Sequence, residues 1–316
     1  MKILFVADIH IKLGQKGVPV EWSLNRYRLL QEAIGDLLSK ADMFIIGGDI
    51  FDKMPSVEEL EVYYDLISVC SKPTLIYPGN HEATKKGKTF FTHLRSVTNK
   101  INSLVTVIDD YYRLIGSFDI IPYNLLKSFD PNDFEERILF THVRGEIPPH
   151  VKPEIDLNLF NRWELVVAGD LHSYENSQRN ILYPGSPVTT SFHRNLVDTG
   201  VLLIDTDSLE HEWIKLDLPQ LIRKTIQVSE EAPRTDFHHT VYEVEGDMSQ
   251  LSDMENTDLI DRKVVKRSTE TALMLNAEMS IEEEVSEYLK YVLMLDKSIV
   301  DDVLKEYNNH AEKLNW

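Results

Sequence analysis

Five short segments constrain this chain more than any other feature. They are Asp8-Ile9-His10, Gly48-Asp49-Ile50-Phe51-Asp52, Gly79-Asn80-His81-Glu82, Thr141-His142 and Gly169-Asp170-Leu171-His172. Each comes directly after a short apolar, strand-like run, at residues 2–7, 43–46, 74–77, 137–141 and 164–168. In a layered α/β fold the carboxyl ends of such strands meet along one edge, and sites form in the crevice there. A chain built this way is expected to gather carboxylates, imidazoles and an amide from five strands at one place.

The chemistry of that set is metal chemistry. Residues two apart at an extended strand end point the same way, so Asp8 with His10, and Asp170 with His172, could each grip one ion. Gly48, Gly79 and Gly169 are expected to let the chain turn sharply after its strand. Asp49 has two oxygens and could bridge two ions. Mixed oxygen and nitrogen donors suit manganese, iron or zinc better than calcium. Two such ions about 3.5–4 Å apart could clamp a phosphate and activate water near neutral pH.

The rest of the first 205 residues reads as alternating helix and strand. Helices are expected over 23–39 and 56–70, the second opened by Ser56 and Glu59 as a capping box. Further strands are expected at 104–108, 118–121, 181–183 and 200–204, with 211–216 as a continuation. Helices between the early strands and few between the late ones imply two packed sheets: a layered α/β sandwich flanked by helices. Beyond about 218 the pattern suggests a small α+β domain, and from 279 it turns helical. Ser280 with Glu283 reads as a capping box. Ile281, Val285, Tyr288, Leu289 and Val292 share one face, and Ser298 opens a second amphipathic helix. We therefore expect domains at 1–217, 218–278 and 279–316.

Charge narrows the partners. The net charge is −19, with 27 acidic and 21 basic residues in 1–205 and 25 acidic against 12 basic in 206–316. Such a chain repels nucleic acid on average, so any DNA contact needs local basic loops, metal ions or a partner. Cys70 is the only cysteine, which excludes an intramolecular disulfide and suits a reducing compartment. No stretch approaches the roughly 20 apolar residues of a membrane span. No small-residue cleavage site follows the N-terminal apolar run, so a cytoplasmic protein is expected.

The five segments, in this order, resemble the calcineurin-like metallophosphoesterase superfamily. Within it the chain is most similar to SbcD-type DNA-repair exonucleases and their phage relatives. The protein-phosphatase branch carries Arg-Gly directly after the second aspartate of its Gly-Asp-x-x-Asp signature, whereas here Lys53-Met54 follows Asp52. Tyr183-Pro184-Gly185-Ser186-Pro187 also resembles the nuclease branch. The resemblance implies one metal held by Asp8, His10, Asp49 and His172, and a second by Asp49, Asn80, His142 and Asp170. It implies His81 beside the scissile phosphate as proton donor, with Asp52 orienting it. Asp170 departs from the pattern, which has histidine there. A carboxylate at that position should still bind a divalent ion and favour a harder one such as Mn2+.

The same resemblance implies DNA as substrate, an SbcC-like ATPase as partner, a homodimer, a DNA-capping role for 218–278 and ATPase docking for 279–316. Lys85, Lys86 and Lys88, directly after the third segment, are the candidate phosphate contacts. The rival readings are a metallophosphatase or cyclic-nucleotide phosphodiesterase, and a non-catalytic DNA-binding scaffold.

Overall fold

The computed structural model describes residues 1–83, 89–265, 279–293 and 295–314. In chain order its first elements are β1 (Lys2–Val6), α1 (Val20–Leu38), β2 (Met43–Gly47), α2 (Val57–Ser68), β3 (Thr74–Tyr77), α3 (Phe91–Ile101) and β4 (Val105–Val107). Then follow β5 (Tyr112–Leu114), β6 (Phe118–Ile121), β7 (Ile138–His142), β8 (Leu165–Gly169) and β9 (Ile181–Leu182). The later strands are β10 (Gly200–Asp205), β11 (His211–Lys215), β12 (Leu221–Gln227) and β13 (His239–Gly246), then α4 (Met248–Asp253) and β14 (Ile260–Val265). The last helices are α5 (Ile281–Glu287) and α6 (Lys297–Leu314).

Two sheets form the sandwich. One has six strands in the order β11-β10-β1-β2-β3-β4, and the other has five in the order β5-β6-β7-β8-β9. β1, β2, β3 and β4 run parallel, as do β6, β7, β8 and β9, so in each sheet the strand carboxyl ends share an edge. Ile3, Phe5, Ile45 and Tyr77 from the first sheet pack with Phe118, Ile138, Phe140 and Val167 from the second. The opposite face of the first sheet packs on α1 and α2 through Leu4, Val6, Phe44 and Ile46. Strands buried on both faces need continuous apolar runs, which is how β1, β2 and β8 read.

The helices are held in different ways. α2 begins with the reciprocal Ser56–Glu59 capping box that its sequence announces. α1 starts at Val20, three residues before its expected start, and Pro19 at its N-cap makes no side-chain bond. Its stability comes from burying Tyr27, Leu30, Ile34 and Leu38, each worth about 1.5–3 kcal/mol. Tyr63, Leu66 and Ile67 of α2 are also core residues, with Tyr64 packed against them.

The chain divides into two compact units, one of Met1–Val244 with Met254–Lys263 and one of Glu245–Asp253 with Val264–Trp316. The expected boundary at 218 is not a break in packing. β12 carries His193 N–H on the Leu221 carbonyl (3.0 Å), and the Trp22 indole donates to the Phe237 carbonyl (3.1 Å). β12, β13 and β14 form a three-stranded sheet. In the second unit the Ser280–Glu283 capping box opens α5. Leu289 and Val300 are buried, whereas Ile281, Tyr288, Val292, Ile299 and Val303 remain exposed. Residues 266–278, part of the expected capping domain, lie outside the described residues.

Candidate metal centre

All five segments arrive at one edge of the sandwich, but not in the manner that simple strand geometry suggests. Asp8, His10, Asp49 and Asp170 all adopt positive φ, at 57°, 48°, 50° and 103°. They are therefore not extended, so Asp8 and His10 do share one group, but by left-handed turns rather than by the two-apart rule. Left-handed backbone costs about 1–3 kcal/mol at a non-glycine residue and clusters at functional sites. Here it is held by main-chain bonds between segments: Asp8 N–H to the Gly48 carbonyl (3.1 Å), and His10 N–H to the Asp49 carbonyl (2.9 Å).

The glycines serve mostly as space rather than as turns. Gly48 does combine φ 88° with a packed neighbour. At Gly79 a Cβ would lie 2.2 Å from Asp49 Oδ1, and at Gly169 one would lie 2.5 Å from His142 Nδ1. Those two positions need glycine because ligand-bearing segments press against them.

The side chains separate into two overlapping halves. In the first, His10 Nε2 lies 3.2 Å from His172 Nε2, 4.0 Å from Asp8 Oδ1 and 3.7 Å from Asp49 Oδ2. In the second, His142 Nε2 lies 3.4 Å from Asp49 Oδ2, 4.0 Å from Asp170 Oδ1 and 2.9 Å from Asn80 Oδ1. Asp49 belongs to both. Asp170 and His172 diverge into different halves, so they do not form the single grip that their spacing suggests. Donor atoms of Asp8, His10 and His172, of His10, Asp49 and His81, and of Asp8, Asp49 and His142 each lie within 4.8 Å of one another.

This donor set fits divalent cations. His142 Nδ1 faces the Gly47 carbonyl at 2.8 Å and must carry a proton to bond it. A neutral ring so bonded would leave its Nε2 lone pair toward Asp49 and Asn80, where an ion would take the place of a proton. The Asn80 amide oxygen itself faces His142 Nε2 and the carboxylates of Asp49 and Asp170; a half-turn would offer its NH2 to the same atoms at 2.9, 3.0 and 3.1 Å. Three carboxylates, those of Asp8, Asp49 and Asp170, meet where Asp8 and His142 are fully buried, and such buried negative charge calls for positive charge. Burial pushes the Asp8 carboxyl well above its ordinary range. Burial opposes charge on His142 as well, yet Asp49 beside it raises the imidazole well above the usual value. Burial drives His10 down to about 3 and lowers His172, which keeps both imidazoles neutral and their lone pairs open.

Two carboxylates behind the ligands take roles the sequence does not announce. The Asp52 carboxylate does not face His81. It pairs with Lys12 Nζ at 2.9 Å and lies 3.8 Å from His10 Nδ1, a buried nitrogen with no hydrogen bond among the described residues. What holds His81 is the Asp52 main-chain carbonyl, 2.6 Å from Nδ1. Glu82, to which the sequence reading gave no role, is fully buried and accepts from the N–H groups of Asp49 (2.9 Å), Phe51 (3.0 Å) and Gly79 (2.8 Å). It ties the second and third segments together, although burial and then Asp49 push its carboxyl up to about 7. Its only signal in the sequence is its place as the last residue of the Gly79 segment. Arg144 is a second unforeseen neighbour, pairing with Asp170 through Nε (3.0 Å) and Nη2 (3.2 Å). The Ser186 hydroxyl, in the Tyr183–Pro187 segment, bonds the Asp8 carbonyl at 2.6 Å. Lys85, Lys86 and Lys88 lie outside the described residues.

Comparison with known proteins agrees with this edge. The calcineurin-like phosphoesterase model matches residues 1–174. The chain is 43% identical, over the full length of both chains, to a protein of Escherichia phage T5 named "Probable exonuclease subunit 1". It is 25% identical, over 72% of this chain and 86% of the other, to a protein of Invertebrate iridescent virus 6 with the provisional name phosphoesterase 244L. A solved archaeal phosphodiesterase, 15% identical, covers 68% of this chain and all of its own at a TM-score of 0.39, too loose a superposition to bear on the assignment. The motif order, the two-sheet sandwich and these matches make the chain a member of the calcineurin-like phosphoesterase family, metal-dependent enzymes with a dinuclear site.

Proposed function

We propose that the chain is the nuclease subunit of a two-component DNA-processing enzyme: a two-metal phosphodiesterase that cleaves DNA as exonuclease and endonuclease. The observation that carries the metal chemistry is the convergence of Asp8, His10, Asp49, Asn80, His142, Asp170 and His172 into two halves joined at Asp49. In this reading Asp8, His10, Asp49 and His172 hold one ion, and Asp49, Asn80, His142 and Asp170 hold the other, with Mn2+ as the working metal. The full-length match to the phage T5 protein supports DNA as substrate and a subunit role.

When bound, the two cations supply Lewis acidity toward the phosphate and activated water near neutral pH. The chain supplies the rest. His81 Nδ1 donates to the Asp52 carbonyl, which fixes the ring and turns Nε2 to the centre, 3.8 Å from Asp49 Oδ2. From there the His81 Nε2–H is placed to deliver a proton to the departing sugar oxygen. Asp52 backs His10 rather than His81, so its carboxylate tunes a ligand and not the proton donor.

The partner is proposed to be an SbcC-like ATPase in DNA repair, recombination or replication. The exposed Ile281, Tyr288, Val292, Ile299 and Val303 on the C-terminal helices support docking to a partner helix. Residues 218–278 are proposed to face DNA, and the active form to be a homodimer. The net charge of −19 makes local cations necessary for DNA contact, and Lys85, Lys86 and Lys88 beside the third segment are the proposed source.

The test is hydrolysis of linear duplex DNA with Mn2+, with and without the ATPase, by wild type and His81→Asn, run beside a chromogenic phosphodiester. We expect DNA cleavage that His81→Asn abolishes and the partner with ATP accelerates. Turnover of the small ester alone would refute the nuclease reading.

A further inference from the structure

Asp170 brings a third carboxylate into a centre that already holds Asp8 and Asp49, at the position where the family resemblance has a neutral imidazole. Its backbone N–H lies 3.1 Å from both oxygens of Asp8, and its side chain is only 5% exposed. An additional buried charge needs a partner. The partner is Arg144, delivered by the sheet itself. His142 of β7 pairs with Gly169 of β8 in parallel register, and Val143 N–H bonds the Gly169 carbonyl at 3.2 Å. Residues 144 and 170 thus leave adjacent strands side by side.

The contact uses one edge of the guanidinium, Nε on Oδ2 at 3.0 Å and Nη2 on Oδ1 at 3.2 Å. The other edge is different. Nη1 makes no hydrogen bond among the described residues, and the side chain is 45% exposed although Asp170 beneath it is buried. Around it, the Arg144 backbone N–H bonds Glu154 Oε1 (3.2 Å), and the Tyr123 hydroxyl donates to Glu154 Oε2 (2.8 Å). Tyr123 in turn stands edge-on to the His142 ring, with centroids 6.1 Å apart. Arg144 is therefore braced at its backbone, spent on one edge and open on the other, next to the second half of the centre.

We propose that Asp170 and Arg144 work as one unit in place of an imidazole: Arg144 cancels the added charge and offers its free edge to a non-bridging oxygen of the substrate phosphate. The inference rests on the two-metal reading above. Guanidinium suits both tasks, since its planar fork pairs with a carboxylate on one side and a phosphate on the other. The two tasks predict opposite effects when Arg144 is removed. Loss of a neighbouring positive charge strengthens cation binding at the second half. Loss of the free edge weakens phosphate binding.

The experiment is calorimetric titration of the full chain with Mn2+, then of the Mn2+-loaded protein with inorganic phosphate, for wild type, Arg144→Gln, Arg144→Lys, Asp170→His and the double variant. For Arg144→Gln we expect one Mn2+ to bind about tenfold tighter, the scale of removing a unit charge beside a ligand, and phosphate to bind about tenfold weaker. Arg144→Lys should restore Mn2+ affinity to about that of wild type, because it restores the charge. In the Asp170→His background, adding Arg144→Gln should leave Mn2+ binding unchanged within about twofold, the mark of a pair that acts together. Weaker Mn2+ and weaker phosphate together, with a lowered Tm, would reduce Arg144 to a brace and overturn the proposal. So would an Arg144→Gln protein that binds both like wild type. A wild type that binds no Mn2+ would bring down the two-metal reading as well, which separates the two failures.

Discussion

Replacing Gly79 by alanine tests whether the third and second segments must touch. A Cβ there would lie 2.2 Å from Asp49 Oδ1, 2.6 Å from Asp49 N and 2.8 Å from His142 Cε1. Asp49 N cannot yield easily, because it is bonded to Glu82 at 2.9 Å, and Oδ1 is held by the His81 N–H at 2.9 Å. Relief of such an overlap costs about 1–3 kcal/mol in a packed interior, and losing the His81–Asp49 bond adds about 1–3 kcal/mol for a charged acceptor. The sum, about 2–6 kcal/mol, falls within or below the stability of an ordinary domain, so the variant should still be obtained folded. Its function should suffer far more, since a shift of about 1 Å in reacting groups costs on the order of 100-fold. Gly35→Ala is the control, because nothing lies within 4 Å of the added Cβ in α1. That change should stabilise by about 0.5–1 kcal/mol. Urea denaturation and Mn2+ titration on both variants supply the readouts. If Gly79→Ala bound Mn2+ and turned over phosphodiester as wild type does, the close approach would have no functional meaning.

Three further outcomes follow from particular residues. Glu82 has a folded pKa raised to about 7 from an ordinary value of 4.5, chiefly by burial, so its protonated form favours the fold. Stability from this group is full below about 4.5 and is lost as pH rises through about 7; in the metal-free protein Glu82→Gln should flatten the urea-stability profile over that window by about 3 kcal/mol, and an unchanged slope would refute the linkage. Asp52→Asn should weaken Mn2+ binding by about 10- to 100-fold while leaving kcat at saturating Mn2+ close to that of wild type, because the carboxylate backs His10. A loss of kcat as large as that of His81→Asn would restore the role first expected for Asp52. Burial pushes the Cys70 thiol up to about 11, so at pH 8 it should alkylate only as the chain unfolds, at a rate that rises with urea; rapid labelling of native protein would contradict its burial.

The convergence of the five segments was readable from the sequence because they are local: each is a two- to five-residue segment at the end of an apolar strand, and parallel strands bring such ends together whatever lies between them. The same locality explains the misreadings. Two-apart spacing at Asp8 and His10 assumed extended backbone, whereas both residues are left-handed and are held so by bonds to Gly48 and Asp49. Asp52 lies close to His81, but its carboxylate is paired with Lys12, far earlier in the chain, and its main-chain carbonyl faces the ring. Glu82 and Arg144 gain their roles only from partners on other strands. α3 has no side-chain cap and buries only Phe91 and Thr98, so it carries little helical signature. The boundary at 218 followed a change in residue pattern, but packing there depends on pairs such as Trp22 with Phe237, 215 positions apart, that no local pattern records.

The most direct measurement is the number of Mn2+ ions held per chain, by equilibrium dialysis with metal analysis, in wild type and Asp49→Asn. A centre joined at Asp49 predicts two ions in wild type and the loss of at least one in the variant, because that carboxylate reaches both His10 and His142. Wild type without stoichiometric metal, or an Asp49→Asn protein that still holds two ions, would contradict it.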